Sequence, residues 1–151
     1  MEITLHLISL IPAEGLQWTP PSSGWPLGVL LGHLLECHAG FCAVLAAAEP
    51  SRLGHFAALR DLPVNQCCSL DEAAGRIALY RERIDEGFAL LSDADLARPL
   101  RTVFVPEGEP LMTLFLGNLE HLINHKHQLF TALKQMGIEV GTRDLYRFRG
   151  A

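Results

Sequence analysis

The chain has 151 residues, 49% of them hydrophobic and 19% charged, with a formal net charge of -5, a sequence pI near 5.7 and a mean hydropathy of +0.21. That length predicts a single domain, residues 1–151, with a sizeable core of its own. The acidic balance argues against binding to nucleic-acid phosphates, and the high apolar fraction predicts extensive burial, a subunit interface included.

Met1 to Leu10 begins with Glu2 and lacks a basic n-region, so it does not read as a signal peptide. A first, short helix is expected over Ile3–Ile11, stopped by Pro12. Gln17 to Gly24 is a loop by composition. The second helix starts near Trp25-Pro26, with Pro26 suited to a first turn, and runs through Leu30, Leu31, Leu34, Phe41 and Leu45 to about Ala48. This longest apolar segment carries His33, Glu36, His38 and several glycines, so it reads as a buried helix and no membrane span is expected. A connection follows from Ser51 to Cys68, with one helical turn around His55–Leu59.

Ser69-Leu70-Asp71-Glu72 matches a capping box and opens a third helix, with Ala73, Ile77, Tyr80, Ile84, Phe88 and Leu91 at helical spacing. Asp93 to Leu96 reads as a break, Arg101 to Pro106 as a short extended piece, and Glu107 to Pro110 as a turn. The fourth helix is expected from about Met112 to Met136, with Gly137 as its stop. Leu114, Leu119, Leu122, Leu129 and Leu133 are its expected core positions. The tail from Ile138 is read as irregular, with Leu145, Tyr146 and Phe148 packing down. Arg143, Arg147 and Arg149 there are a local basic exception, read as solvated or docked on acidic groups of the same fold. Cys37, Cys42, Cys67 and Cys68 form no CxxC pair, and the adjacent pair Cys67-Cys68 is a poor candidate for a mutual bridge. Reduced thiols and a cytoplasmic protein follow. Four helices with one short and two long connections make an all-α bundle.

The fourth helix carries His121 and His125. Residues four apart share a helix face, so the two imidazoles can hold one metal ion between them and supply two of the three or four ligands a transition metal takes. The competing reading is a structural or solvent-facing pair, since short motifs of this kind are common. Both lie among apolar neighbours, Leu119, Leu122 and Ile123, which favours the metal reading. Leu122 stands where a zinc peptidase would carry its glutamate base, so that mechanism is not expected. His33 is the third candidate, with Glu36 at i+3 and Cys37 at i+4 on its face. His38 and His127 point away from these faces by helical phase, and His6 and His55 have no partner by spacing. Asn118 and Gln128 are spaced to orient an imidazole, an ordinary surface role being the alternative. Glu36 or Glu120 could act as a general base, although Glu120 faces away by phase. Cys37 is either a soft fourth ligand or a small buried hydrophobe near the site.

Two segments together resemble a known family. Trp25-Pro26-Leu27-Gly28-Val29-Leu30-Leu31-Gly32-His33-Leu34 is similar to the second-helix motif of the DinB/YfiT superfamily: a tryptophan, a spacer, then a metal histidine followed by leucine. His121-Leu122-Ile123-Asn124-His125-Lys126-His127-Gln128-Leu129 is similar to its last-helix motif, two histidines followed by a basic residue, a small residue and glutamine. The likeness runs from the Gln17-Trp18 loop to Gly137. It implies a DinB-type four-helix bundle and a divalent metal, zinc or nickel, held by His33, His121 and His125. It also implies a homodimer, and a metal-dependent hydrolase or transferase acting on a small molecule with a low-molecular-weight thiol. Two departures stand out: His127 replaces the small residue before Gln128, and the first helix is short. The alternative function is a non-catalytic, dimeric metal-binding stress or interaction protein. A DNA-binding role, which the family name invites, is disfavoured by the net charge of -5.

Overall fold

The structure is a computed structural model that describes residues 1–21, 24–62, 68–103 and 105–146. Its long helices are α1 (Glu2–Ser9), α2 (Leu27–Ala48), α3 (Leu70–Phe88) and α5 (Leu111–Gln135). One-turn helices α4 (Asp93–Leu96) and α6 (Thr142–Leu145), and two 3₁₀ turns at Ala13–Gln17 and Gly54–Asp61, fill the connections. Two-residue strands β1 (Pro99–Leu100) and β2 (Glu109–Pro110) pair antiparallel, Pro99 opposite Pro110. The fold is all-α, as the periodicity predicts.

Each helix boundary has a local cause. α1 ends before Pro12 because the N–H groups of Leu10 and Ile11 fall back to the carbonyls of Leu7 and Ile8, tightening the last turn. Pro26 is the N-cap of α2, one residue outside the helix, and Leu27 donates to the Trp18 carbonyl at 2.8 Å, tying the preceding loop to the helix start. At α3 the Glu72 N–H donates to Ser69 Oγ at 3.1 Å. The expected reciprocal bond is not among those formed by the described residues. The Glu72 carboxylate instead lies 3.8 Å from Arg76 Nη1. α5 stops at Gly137, whose φ of 82° is a left-handed conformation that glycine adopts without a Cβ clash.

The order of the helices is set by their packing. Cys42 on α2 lies beside the Tyr80 carbonyl and Leu45 against Gly87, so α2 and α3 advance in the same direction. α5 runs against α2, with His125 and His121 at His33, Asn118 at Cys37, and Phe115 stacked on Phe41. α1 runs with α5: the Lys126 charge acts on the Met1 amine at one end, and Gly15 meets Met136 at the other. The result is an up-down-down-up bundle in which the long connection after Ala48 returns the chain to begin α3 beside α2.

α2 is the central element. Leu27, Leu31, Leu34, Leu35 and Leu45 are fully buried, and they meet Ile77 and Tyr80 of α3 and Leu111, Leu129 and Leu133 of α5 in one core. By length and composition α2 could cross a membrane. Its leucines are occupied by this core, which accounts for its apolar character without one. His38, one residue past Cys37, is wholly buried in the same core. Its Nδ1–H donates to the Leu34 carbonyl at 2.9 Å, and its Nε2 has no partner among the described residues.

Several local expectations are corrected. Asp93–Leu96 is a helical turn rather than a break, because Ser92 and Asp95 form a capping box with bonds of 2.9 and 3.3 Å. The extended residues are Pro99–Leu100 and Glu109–Pro110, not the stretch from Arg101; Thr102 and Val105 bond reciprocally and fold that stretch into a turn. Leu119 is exposed rather than core, and Tyr146 is exposed rather than packed down, with Leu145 half-buried. His6 and His55 find partners from distant segments: His6 Nε2 meets Asp144 of α6 at 2.7 Å and His55 meets Glu86 at 3.0 Å. Ser22, Ser23, Cys67, Phe104, Arg147, Phe148 and Arg149 lie outside the described residues.

Candidate metal centre

His33, His121 and His125 converge where α2 and α5 cross. Their Nε2 atoms lie 3.0 Å (His33–His125), 3.1 Å (His121–His125) and 3.4 Å (His33–His121) apart. The i, i+4 spacing brings His121 and His125 together on α5; antiparallel packing brings His33 to them. Asn118 holds the crossing closed: its Nδ2 donates to the Cys37 carbonyl at 2.9 Å, and Gly40 leaves the room, since a Cβ there would stand 2.8 Å from Asn118 Oδ1.

Two of the imidazoles are oriented. His33 Nδ1 lies 3.2 Å from Glu36 Oε2, and His125 Nδ1 lies 2.8 Å from Gln128 Oε1. A carboxylate accepts only, so the proton of neutral His33 sits on Nδ1 and the Nε2 lone pair faces the centre. The amide oxygen of Gln128 fixes His125 in the same way. Two lone pairs then point at each other across 3.0 Å, an arrangement that repels unless a cation lies between them. The spacing suits such a cation: tetrahedral nitrogen ligands at about 2.0–2.1 Å from an ion stand about 3.3 Å from one another. Burial, with further contributions from His33 and His121, holds His125 below the ordinary histidine range against the opposing pull of Gln128. Neutral imidazole is the form a metal requires.

The wider group includes Cys37. Donor atoms of His33, Cys37, His121 and His125 all lie within 4.8 Å of one another, so the four could hold a metal ion. The Cys37 thiol is buried and donates to the His33 carbonyl at 3.3 Å; burial, then the Glu36 carboxylate, pushes it up to about 12. Trp25 packs edge-on against His33 with centroids 5.6 Å apart. A cavity of about 340 Å³ opens beside His125, walled by Pro20, Trp25 and Leu30 and by His127, Thr131 and Gln135 of α5. A second, of about 530 Å³, runs along small residues of α2 and has Glu36 in its wall.

Glu36, weighed as a general base, is engaged as the partner of His33, and Gln128 orients His125 as its spacing allowed. Asn118 spends its amide on the Cys37 carbonyl rather than on an imidazole, and so joins the helices. Glu120 is exposed, in keeping with its phase. His38 and His127 stay out of the cluster, His127 stacking on Phe130 at the cavity rim. The i+3 spacing of Glu36 was the available signal for its orienting role.

The model of the DinB superfamily matches residues 2–129, and the chain belongs to that superfamily. The match takes in α1 as well as both histidine-bearing helices. No curated protein and no solved structure matches the chain.

Proposed function

We propose that this chain is a divalent-metal-dependent enzyme of the thiol S-transferase or hydrolase type, with His33, His121 and His125 as the ligands of zinc or nickel. The observation that carries the reading is the triangle of Nε2 atoms, 3.0–3.4 Å on a side, with two imidazoles oriented by Glu36 and Gln128. An ion held there supplies Lewis acidity, lowering the pKa of a water or thiol and polarising an electrophile. Glu36 keeps the His33 proton on Nδ1, and Gln128 does the same for His125, so both Nε2 lone pairs stay directed inward. Trp25 screens one flank of His33 from water. The cavity beside His125 suits a small molecule: Pro20, Trp25 and Leu30 take an apolar part, and Thr131 and Gln135 offer uncharged hydrogen bonds. A low-molecular-weight thiol or its electrophilic partner fits that description. Among the described residues no basic cluster lines the cavity to invite nucleic acid, and a cytoplasmic setting suits cysteines kept reduced.

The test is metal analysis of untagged protein, wild type beside His33→Ala, followed by a screen of thiols against electrophiles and hydrolysable esters. About one ion per chain in the wild type and none in the variant, with metal-dependent turnover, is the expected result. No ion in wild type after reloading with zinc and nickel overturns the metal centre. Metal without turnover leaves the alternative, a non-catalytic metal-binding protein.

A homodimer is part of the same reading. Met112, Leu116, Leu119 and Ile123 are 43, 57, 41 and 46% exposed, and their alternating spacing of four and three forms an apolar seam on α5. The seam lies about 200° round the helix from His121 and His125, leaving the metal face open. A second copy of the same helix offers matching knobs and holes. Light scattering is expected to give twice the chain mass of 16.6 kDa for wild type and that mass for the double variant Leu116→Glu, Ile123→Glu. A monomeric wild type at working concentrations removes the dimer.

A further inference from the structure

We propose that Cys37 is a fourth, thiolate ligand, so that the site takes its ion as a three-histidine, one-cysteine set; this rests on the three-histidine reading above. Cys37 follows His33 by one turn of α2, and its donor atom belongs to the group of four that lies within 4.8 Å. A thiolate and an imidazole nitrogen on one tetrahedral ion stand about 3.6 Å apart. The gap to close is therefore at most about 1.2 Å, within reach of a χ1 rotation. That rotation gives up only the weak S–H contact to the His33 carbonyl at 3.3 Å. The backbone needs no shift, because Asn118 already clamps the Cys37 carbonyl against α5.

Coordination replaces the S–H bond with a sulfur–metal bond, and the proton passes to buffer. Cys37 is 3% exposed and approaches from the core side, whereas His121 is exposed and the cavity beside His125 opens outward. The thiolate thus leaves the cavity side available for an added ligand, as zinc sites permit when they expand to five-coordinate. Its chemical consequence is selection: a sulfur donor favours zinc, cobalt and softer ions over magnesium or manganese.

The experiment is cobalt(II) titration of metal-free protein, with circular dichroism as the folding control. Wild type is expected to show visible ligand-field bands and a near-ultraviolet sulfur-to-cobalt charge-transfer band, both saturating at one ion per chain. Cys37→Ala and Cys37→Ser are expected to keep ligand-field bands, lose the charge-transfer band, and bind cobalt more weakly. The loss should be at least the order of tenfold that removing a ligand's outer partner costs. His33→Ala is expected to lose both bands. Ligand-field bands without charge transfer in wild type overturn the cysteine ligand and leave the three-histidine site standing. A charge-transfer band surviving in both Cys37 variants assigns it to another cysteine and overturns the proposal equally. No cobalt binding in wild type overturns both readings.

Discussion

His125→Ala is expected to abolish metal binding while the bundle stays folded, and to erase the difference in melting temperature between metal-loaded and chelated protein. His125 is the shared vertex of the cluster, with Nε2 3.0 Å from His33 and 3.1 Å from His121. Its removal leaves two nitrogens 3.4 Å apart and takes away the position fixed by Gln128. The core does not depend on it, since the neighbouring contacts of Leu122, Leu129 and Leu133 are untouched. An ion at a hundred times its dissociation constant stabilises the folded state by about 2.7 kcal/mol. For a chain of this size that is a melting difference of roughly 5–10 °C. In the metal-free state the variant is expected to be no less stable than wild type, because the opposed lone pairs of His33 and His125 are gone. Calorimetry with and without chelator reads both effects; a metal-dependent shift persisting in His125→Ala removes it from the ligand set.

The second large effect is acid destabilisation through His38. Burial, with a smaller contribution from the N-terminal amine, lowers His38 from 6.5 to about 4, against the opposing bond to Leu34. Protonation would put a charge and an N–H on Nε2, which has no acceptor among the described residues. The folded-state value is the lower one, so between pH 6.5 and about 4 the unfolded chain binds more protons. Stability therefore falls as pH drops through that window, and the loss is complete below about 4. A depression of this size corresponds to ~3 kcal/mol. Urea unfolding of chelated protein at pH 7 and pH 4.5 is expected to show a steep fall in wild type and a shallower one in His38→Leu. Carboxylates such as Asp95 and Glu86, held low by their hydrogen bonds, contribute acid sensitivity of their own, but equally in both proteins. Parallel losses in the two would show that His38 is not the source.

Near-neighbour physics accounts for what could be read from the chain. The Ser69 cap, the apolar period of α2 and α5, the stop at Gly137 and the shared face of His121 and His125 all involve residues within a few positions, where helix geometry fixes who meets whom. So does the pairing of Glu36 with His33 and of Gln128 with His125. The cluster as a whole needs more: a family resemblance, and not spacing, joins His33 to α5, because spacing along one helix says nothing about another 88 residues away.

The sequence by itself determined the long helices, the Ser69 cap, the stop at Gly137 and the shared face of His121 and His125, because those follow from a fixed rise and twist per residue. Only the tertiary structure decided that α2 and α3 run together, and that Asn118 clasps Cys37 rather than an imidazole. It also decided that, among the described residues, His38 is buried without a partner for Nε2 and a seam on α5 stays uncovered. Each of these depends on which helix faces which, a choice made by the joint packing of side chains distant in the chain.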